Sequence, residues 1–346
     1  MKSKWGVIGC GGIAYRRTIP GMMLSENSEL VAVMDTNFEA AEKVKEEFGA
    51  KYAFRTVEEV LALEEIDAVY IATPVFCHKE QARKAAEAKK HILLEKPMGL
   101  TVAESEEIAA YCKEQGVKLG VGLMMRFSAY HRKMKELITA GILGEIVSMR
   151  AQLTCWYPEI PGNWRQDRTK SGGGALMDMG IHCIDLLQYI SGTEAFAVSC
   201  FAQNQTFQYS AEDSAALLLK MKNGATAFVD ANFNIPDNAA KCRMEFYGTK
   251  GSILAEGTIG QTESGELKLI TSDDSVGYSA KQNRDDDDAV KIDVITGNMY
   301  EKEITSFSNA ILNDTEPEIT AEDAILVQTI VEKAYADSAE GKCITI

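Results

Sequence analysis

Within its first 35 residues the chain carries the pattern that most restricts what it can fold into. Trp5–Gly9 is a short apolar, β-rich run, and it leads directly into Gly-Cys-Gly-Gly-Ile-Ala at 9–14. Gly9, Gly11 and Ala14 stand in the G-x-G-x-x-G/A order. Gly9 permits a tight turn, Gly11 lets the backbone approach a pyrophosphate, and Ala14 keeps the next helix close to the strand. A helical stretch from about Ile13 to Leu24 follows, then a second apolar run, Leu30–Asp35. Asp35 ends that run 21 residues past Ala14, where a carboxylate can accept both hydroxyls of a ribose. Strand, glycine turn, helix and acid at this spacing predict a dinucleotide-binding unit. A carboxylate at that place repels a 2′-phosphate, and Thr36 and Asn37 bring no basic compensation, so NAD is expected rather than NADP.

The alternation continues. Apolar runs at 68–73, 91–95 and 117–122 are separated by helical stretches at 39–48 and 78–89 and by two cap signals, Thr56 with Glu59 and Thr101 with Glu104. Uniformly apolar strands alternating with helices indicate a parallel sheet covered on both faces. After Gly122 the pattern changes. A helix near 130–140 leads into a long strand at 145–155, and strand-like runs then dominate, with hairpin signals at Asn223-Gly224 and at 249–252. Two helices, near 300–313 and 321–339, end the chain. The expected fold class is an α/β Rossmann domain over 1–122 and an α+β domain with a large, mostly antiparallel sheet over 123–346.

The net charge of −15 argues against nucleic acid and anionic membranes as partners, because phosphate contacts need clustered Lys and Arg. Backbone amides at a helix start can still hold an anionic cofactor locally. The eight cysteines form no Cys-x-x-Cys pair, and with His78, His91, His131 and His182 scattered, no metal-ligand set is visible. The N-terminus runs almost directly into a strand without a signal-peptide pattern, and no apolar run approaches the ~18 residues of a membrane span. A cytoplasmic protein is expected. The acidic run Asp285–Asp288 reads as a solvated loop rather than a cation site.

Two short motifs sit at predicted strand ends, Ala72-Thr73-Pro74 and Glu95-Lys96-Pro97. Open α/β sheets bind ligands at that edge. Thr73, Pro74, Glu95, Lys96 and His78 therefore join Gly9, Gly11, Gly12, Ile13 and Asp35 as candidate cofactor contacts, with Lys96 on the nicotinamide side. Further on, Ser171–His182 reads SGGGALMDMGIH. Its triple glycine allows a close backbone approach at a helix start. Asp178 and His182 stand four apart and so share a helical face, where the carboxylate can orient an imidazole that titrates near neutrality. A purely structural hydrogen bond is the other reading of that pair. Asp185 lies three residues beyond and could reach the same face.

Taken in this order, GCGGIA, ATP, EKP and GGGALMDMGIH resemble the Gfo/Idh/MocA family, named after glucose-fructose oxidoreductase and inositol dehydrogenase. Arg126-Phe127, the GxLGEI of 141–146 and the final SAEGKCITI extend the resemblance over the whole chain. It implies a Rossmann domain followed by a sheet domain that often associates through its open face, here as a homodimer or homotetramer. It also implies oxidation or reduction of a carbinol in a sugar, cyclitol or related polyol. Carried over by motif, Lys96 contacts the reacting hydroxyl, and His182 is the acid/base with Asp178 beside it. The Lys96–Pro97 bond is implied to be cis, and Trp164-Arg165 to lie near cofactor or substrate. Val75-Phe76 stand where the family often has Asn after Thr-Pro, which leaves the contacts there open. Two alternatives remain: an NAD-using glycoside hydrolase of the same family, and a non-catalytic dinucleotide sensor. A sensor has no use for Lys96, Asp178 and His182.

Overall fold

Six short apolar strands form a wholly parallel sheet: β1 (Ser3–Ile8), β2 (Ser28–Met34), β3 (Tyr52–Phe54), β4 (Ala68–Ile71), β5 (His91–Leu94) and β6 (Leu119–Val121). This is a computed structural model, and it describes residues 1–272, 280, 289–341 and 343–346, so the Asp285–Asp288 run lies outside the described residues. The strand order is β3-β2-β1-β4-β5-β6. β1 pairs in parallel with β2 on one side and β4 on the other, so the order reverses there and a crevice opens beyond the strand ends. Trp5, Val7, Ile8, Val69, Tyr70 and Ile71 are fully buried, as expected for strands covered on both faces. The edge strand β3 is too short and too weakly buried to leave a periodic signal in the sequence.

The chain divides into two units. One comprises Met1–Met124, Gly162–Gly173 and Asn298–Thr329; the other comprises Met125–Pro161, Gly174–Gly297 and Ile330–Ile346. A single boundary after Gly122 leaves 162–173 and 298–329 with the second unit, whereas they pack into the first. The reason lies in the helix Met299–Leu312. A Cβ on Gly120 would stand 2.7 Å from the Phe307 ring, and Phe307 lies 5.7 Å from the Trp5 ring, so this helix covers a face of the parallel sheet. Gly21 makes room in the same way, since a Cβ there would stand 2.8 Å from Tyr300 Cβ. The helix after the glycine loop opens with a π turn, Ala14–Thr18, before the regular turn Ile19–Leu24. Pro20, early in that regular turn, lacks the N–H that would bond the carbonyl of residue 16, and the wider turn accommodates the loss.

The second unit is built on nine strands: β7 (Ile146–Thr154), β8 (Ala195–Gln203), β9 (Ser214–Met221), β10 (Thr226–Asn232), β11 (Arg243–Gly248), β12 (Gly251–Glu256), β13 (Glu266–Thr271), β14 (Val290–Lys291) and β15 (Ile344–Thr345). Their order is β14-β13-β12-β11-β7-β10-β9-β8-β15, antiparallel except for the β7–β10 pair. The Asn223-Gly224 hairpin forms as expected, with Gly224 at φ +92° and Met221 N–H donating to the Ala225 carbonyl at 2.9 Å. Along β9 the side chains alternate: Leu217, Leu219 and Met221 are buried, while Leu218 and Lys220 are exposed. The fold class is therefore the expected one, a Rossmann sheet plus a large, mostly antiparallel sheet. Among the described residues no helix is long and apolar enough to cross a membrane.

Candidate active site

The first unit gathers the glycine loop and two strand-end motifs at one edge of the parallel sheet. Gly9 turns at φ +96°, and a Cβ on it would stand 2.9 Å from the Ala72 carbonyl carbon, so glycine is required. Gly11 and Gly12 differ from it: a Cβ on either would meet nothing within 4 Å, which leaves the backbone accessible for a pyrophosphate. Ile13 leads into the helix and Ala14 is fully buried. At the end of β2, Asp35 Oδ2 accepts the Cys10 N–H and Oδ1 accepts the Asn37 N–H, both at 2.9 Å. Each oxygen retains a lone pair, so the carboxylate is held in place and still able to accept from a ribose. These features fit a dinucleotide.

His78 ties the two strand-end motifs together. Its ring is 1 % exposed, with Nε2 at 3.0 Å from the Thr73 carbonyl and Nδ1 at 3.1 Å from the Pro97 carbonyl. Burial pushes its pKa down to about 4. Held neutral at physiological pH, the imidazole has a single N–H and donates it to one of these two carbonyls. Thr73 Oγ1 donates to Gln81 at 2.5 Å, and Pro74 precedes the turn Val75–Cys77.

Lys96 follows β5 and its bond to Pro97 is cis. Behind it, Glu95 is buried. Tyr70 donates its hydroxyl proton to Glu95 Oε1 at 2.5 Å, and the Lys96 N–H donates to Oε2 at 3.2 Å. Thr18 Oγ1 lies 2.9 Å from the Tyr70 hydroxyl. Burial raises the Glu95 pKa, against the Tyr70 bond and the positive charges of Lys96 and Arg165. Arg165 stacks on the Trp164 ring at 4.3 Å, in the turn Trp164–Gln166 opened by the Asn163 side chain. Its charge reaches both Glu95 and His78, so within this unit the Trp-Arg pair stands by the Lys96 end of the edge.

In the second unit, Asp178 lies in a π turn, Leu176–Gly180, which runs into the helix Ile181–Ser191 carrying His182. His182 is 4 % exposed and Asp178 is half-buried. Glu212 organises the start of this helix. Its Oε2 accepts Gly174 N–H at 2.8 Å and its Oε1 accepts Leu176 N–H at 3.0 Å and the Tyr335 hydroxyl at 2.8 Å. A Cβ on Gly174 would stand 1.9 Å from the Glu212 carbonyl oxygen, which explains a glycine there. An anion at a helix N-terminus is favoured by the unsatisfied N–H groups and the helix dipole. Asp185, three residues beyond His182, accepts from Arg126: Nη2 to Oδ1 at 2.6 Å and Nε to Oδ1 and Oδ2 at 2.9 and 3.1 Å. Arg126 is thus one partner of a buried ion pair. Glu212 and Tyr70 had no signal in the sequence, because their partners lie 25 to 123 residues away along the chain.

Comparison with known proteins agrees with the two kinds of sheet. Residues 3–123 match the oxidoreductase family with an NAD-binding Rossmann fold, and residues 131–254 match the GFO/IDH/MocA C-terminal domain. Oxidoreductase P35 of Formosa agariphila is 32 % identical over 72 % of this chain and 78 % of its own length. The 1,5-anhydro-D-fructose reductase of Ensifer adhaerens is 28 % identical over 93 % of this chain and 92 % of its own. The crystal structure of aldose-aldose oxidoreductase from Caulobacter crescentus complexed with glycerol superposes with a TM-score of 0.89 at 25 % identity, covering all of both chains. The family suggested by the motifs is the one that matches at both ends, and the chain belongs to the Gfo/Idh/MocA family of oxidoreductases.

Proposed function

We propose that this protein is an NAD-dependent dehydrogenase or reductase acting on a carbinol of a sugar, cyclitol or related polyol. The observation that carries the cofactor choice is Asp35, fixed by two backbone N–H groups beside an open glycine loop. The names of its relatives, a 1,5-anhydro-D-fructose reductase and an aldose-aldose oxidoreductase, support the substrate class. A bound nicotinamide supplies the hydride acceptor. Lys96 hydrogen-bonds the reacting hydroxyl, His182 takes its proton, and Asp178 orients the imidazole. Glu95 holds Lys96 from behind through its backbone N–H. Glu212 fixes the start of the helix that carries Asp178 and His182.

Two further parts of this reading rest on the second unit and on the thiols. The exposed side of the large sheet bears Phe201, 78 % exposed, and the directly paired Leu218 and Phe228, which supports self-association through that face. All eight cysteines are free thiols, which supports a reducing compartment, the cytoplasm. The roles of Lys96 and His182 are tested by substitution. Lys96→Ala and His182→Ala each lower kcat by ~100- to 10,000-fold, the usual range for assisted proton transfer, while NAD binding stays nearly intact. Equal loss of NAD affinity in both variants contradicts the assignment.

A further inference from the structure

The first unit holds a second buried acid that the reaction above does not use. Glu303, on the helix Met299–Leu312, is 2 % exposed, and among the described residues neither of its carboxyl oxygens has a hydrogen-bond partner. One turn earlier on the same helix, the Tyr300 hydroxyl is also buried without a partner, as is Arg17 Nε on the first helix. An ionised carboxylate in such a place gives up its hydration for nothing, and a buried acid in that position keeps its proton instead. Its charged neighbour adds to the effect. Burial first, and then the nearby negative charge of Glu95, push the Glu303 pKa well above the usual carboxyl range.

Two carboxyl groups in one dry region titrate as a unit and disfavour carrying two charges at once. The geometry says where that charge sits. Glu95 accepts two hydrogen bonds, from the Tyr70 hydroxyl and the Lys96 N–H, and both favour its ionised form; Glu303 accepts none. Gly122 lets Glu95 settle there, since a Cβ at that position would stand 3.2 Å from Glu95 Cδ and Oε1. The other titratable groups around the pair come from every neighbouring element. They are Arg16 and Arg17 from the first helix, Tyr70 from β4, Lys96 beyond β5, Arg165 from its turn, and Tyr300. The arginine charges act on Tyr300 and on Glu95; the charge that acts on Glu303 is that of Glu95.

We infer that Glu303 is a neutral, proton-holding acid paired with Glu95, and that it acts as a positioning residue by leaving Glu95 as the single negative charge behind Lys96. One proton and two carboxyl groups suffice, with no other reactant. Were Glu303 to ionise, the region around Glu95 would hold two negative charges, and the electrostatic setting of the lysine next to Glu95 would change with pH.

The proton should be bound in the folded chain and released on unfolding. A carboxyl whose folded pKa lies above its unfolded value near 4.5 favours the native state fully below 4.5, and that advantage is lost as pH rises towards the folded value. Urea unfolding of wild type and Glu303→Gln across this window gives the test. The folding constant of the wild type relative to Glu303→Gln should fall about tenfold per pH unit above 4.5. A ratio independent of pH means that Glu303 is ionised in the fold and overturns the inference. Infrared difference spectra of wild type and Glu303→Gln, both labelled with carbon-13 glutamate, give the same answer without unfolding: a protonated-carboxyl band at neutral pH should be present in the wild type and missing from the variant, and identical spectra overturn the inference.

The positioning role rests on the dehydrogenase reading and has its own readout, the pH profile of kcat/KM. The wild type should show an alkaline ionisation that disappears in Glu303→Gln; identical profiles overturn that role. The unfolding and infrared measurements need no substrate, so failure of the acid pair and failure of the dehydrogenase reading are distinguishable.

Discussion

Replacing Asp35 with Ala tests the cofactor site at the point where its geometry is most explicit. The carboxylate is held by the Cys10 and Asn37 N–H groups at 2.9 Å each, so it presents its remaining lone pairs in a fixed direction. Two charge-assisted bonds to ribose hydroxyls contribute about 1.5–3 kcal/mol each, and water recovers part of that in the variant. A net loss of about 2–4 kcal/mol corresponds to a rise of roughly 30- to 1,000-fold in the NAD dissociation constant. NADP responds differently, because the substitution also removes a charge that repels the 2′-phosphate. Its affinity should hold or improve. Titration calorimetry with both nucleotides measures this directly, and NADP serves as an internal control for damage to the loop. Unchanged affinity for both nucleotides, or an equal fall in both, refutes the ribose role.

Other perturbations read different layers of the structure. Asp185→Ala leaves Arg126 charged and buried, and breaking such a pair costs about 3–5 kcal/mol; chemical denaturation that shows no loss contradicts its structural role. His78 has its folded pKa lowered from 6.5 to about 4, so its contribution to stability is present above 6.5 and is lost as pH falls towards 4. A shift of that size corresponds to about 3 kcal/mol, and His78→Gln should therefore flatten the acid side of the stability curve relative to wild type. Light scattering at micromolar protein should find a dimer or tetramer, and Phe201→Glu with Leu218→Glu should dissociate it; a wild-type monomer contradicts the proposed use of the sheet face.

What the sequence disclosed follows from the distance over which each feature is determined. The glycine loop, Asp35, the Thr56–Glu59 capping box and the Asn223-Gly224 hairpin are set by residues within a few positions or a single βαβ unit, and the structure contains all of them. Burial on both faces made the central strands of the parallel sheet readable as continuous apolar runs. The half-buried strand Tyr52–Phe54 was not readable in that way. The π turn at Ala14–Thr18 accompanies Pro20, a signal present in the sequence, whereas the one at Leu176–Gly180 has no such marker. Long-range features stayed hidden for a different reason. Glu212 meets Leu176 across 36 residues, Arg126 meets Asp185 across 59, and Phe307 meets Gly120 across most of the chain. The same holds for Glu303, which in the sequence is one of two acids on an amphipathic helix.

The claim that matters most is the redox reaction, and absorbance at the NADH band tests it most directly. Purified protein is mixed with NAD and pools of aldoses, inositols, aminosugars and sugar acids, with Lys96→Ala run beside it. The account predicts NADH formation in at least one pool, strongly reduced in the variant. NADH formed at the same rate by Lys96→Ala would contradict the role given to that lysine. NAD binding without turnover in every pool would contradict the dehydrogenase itself.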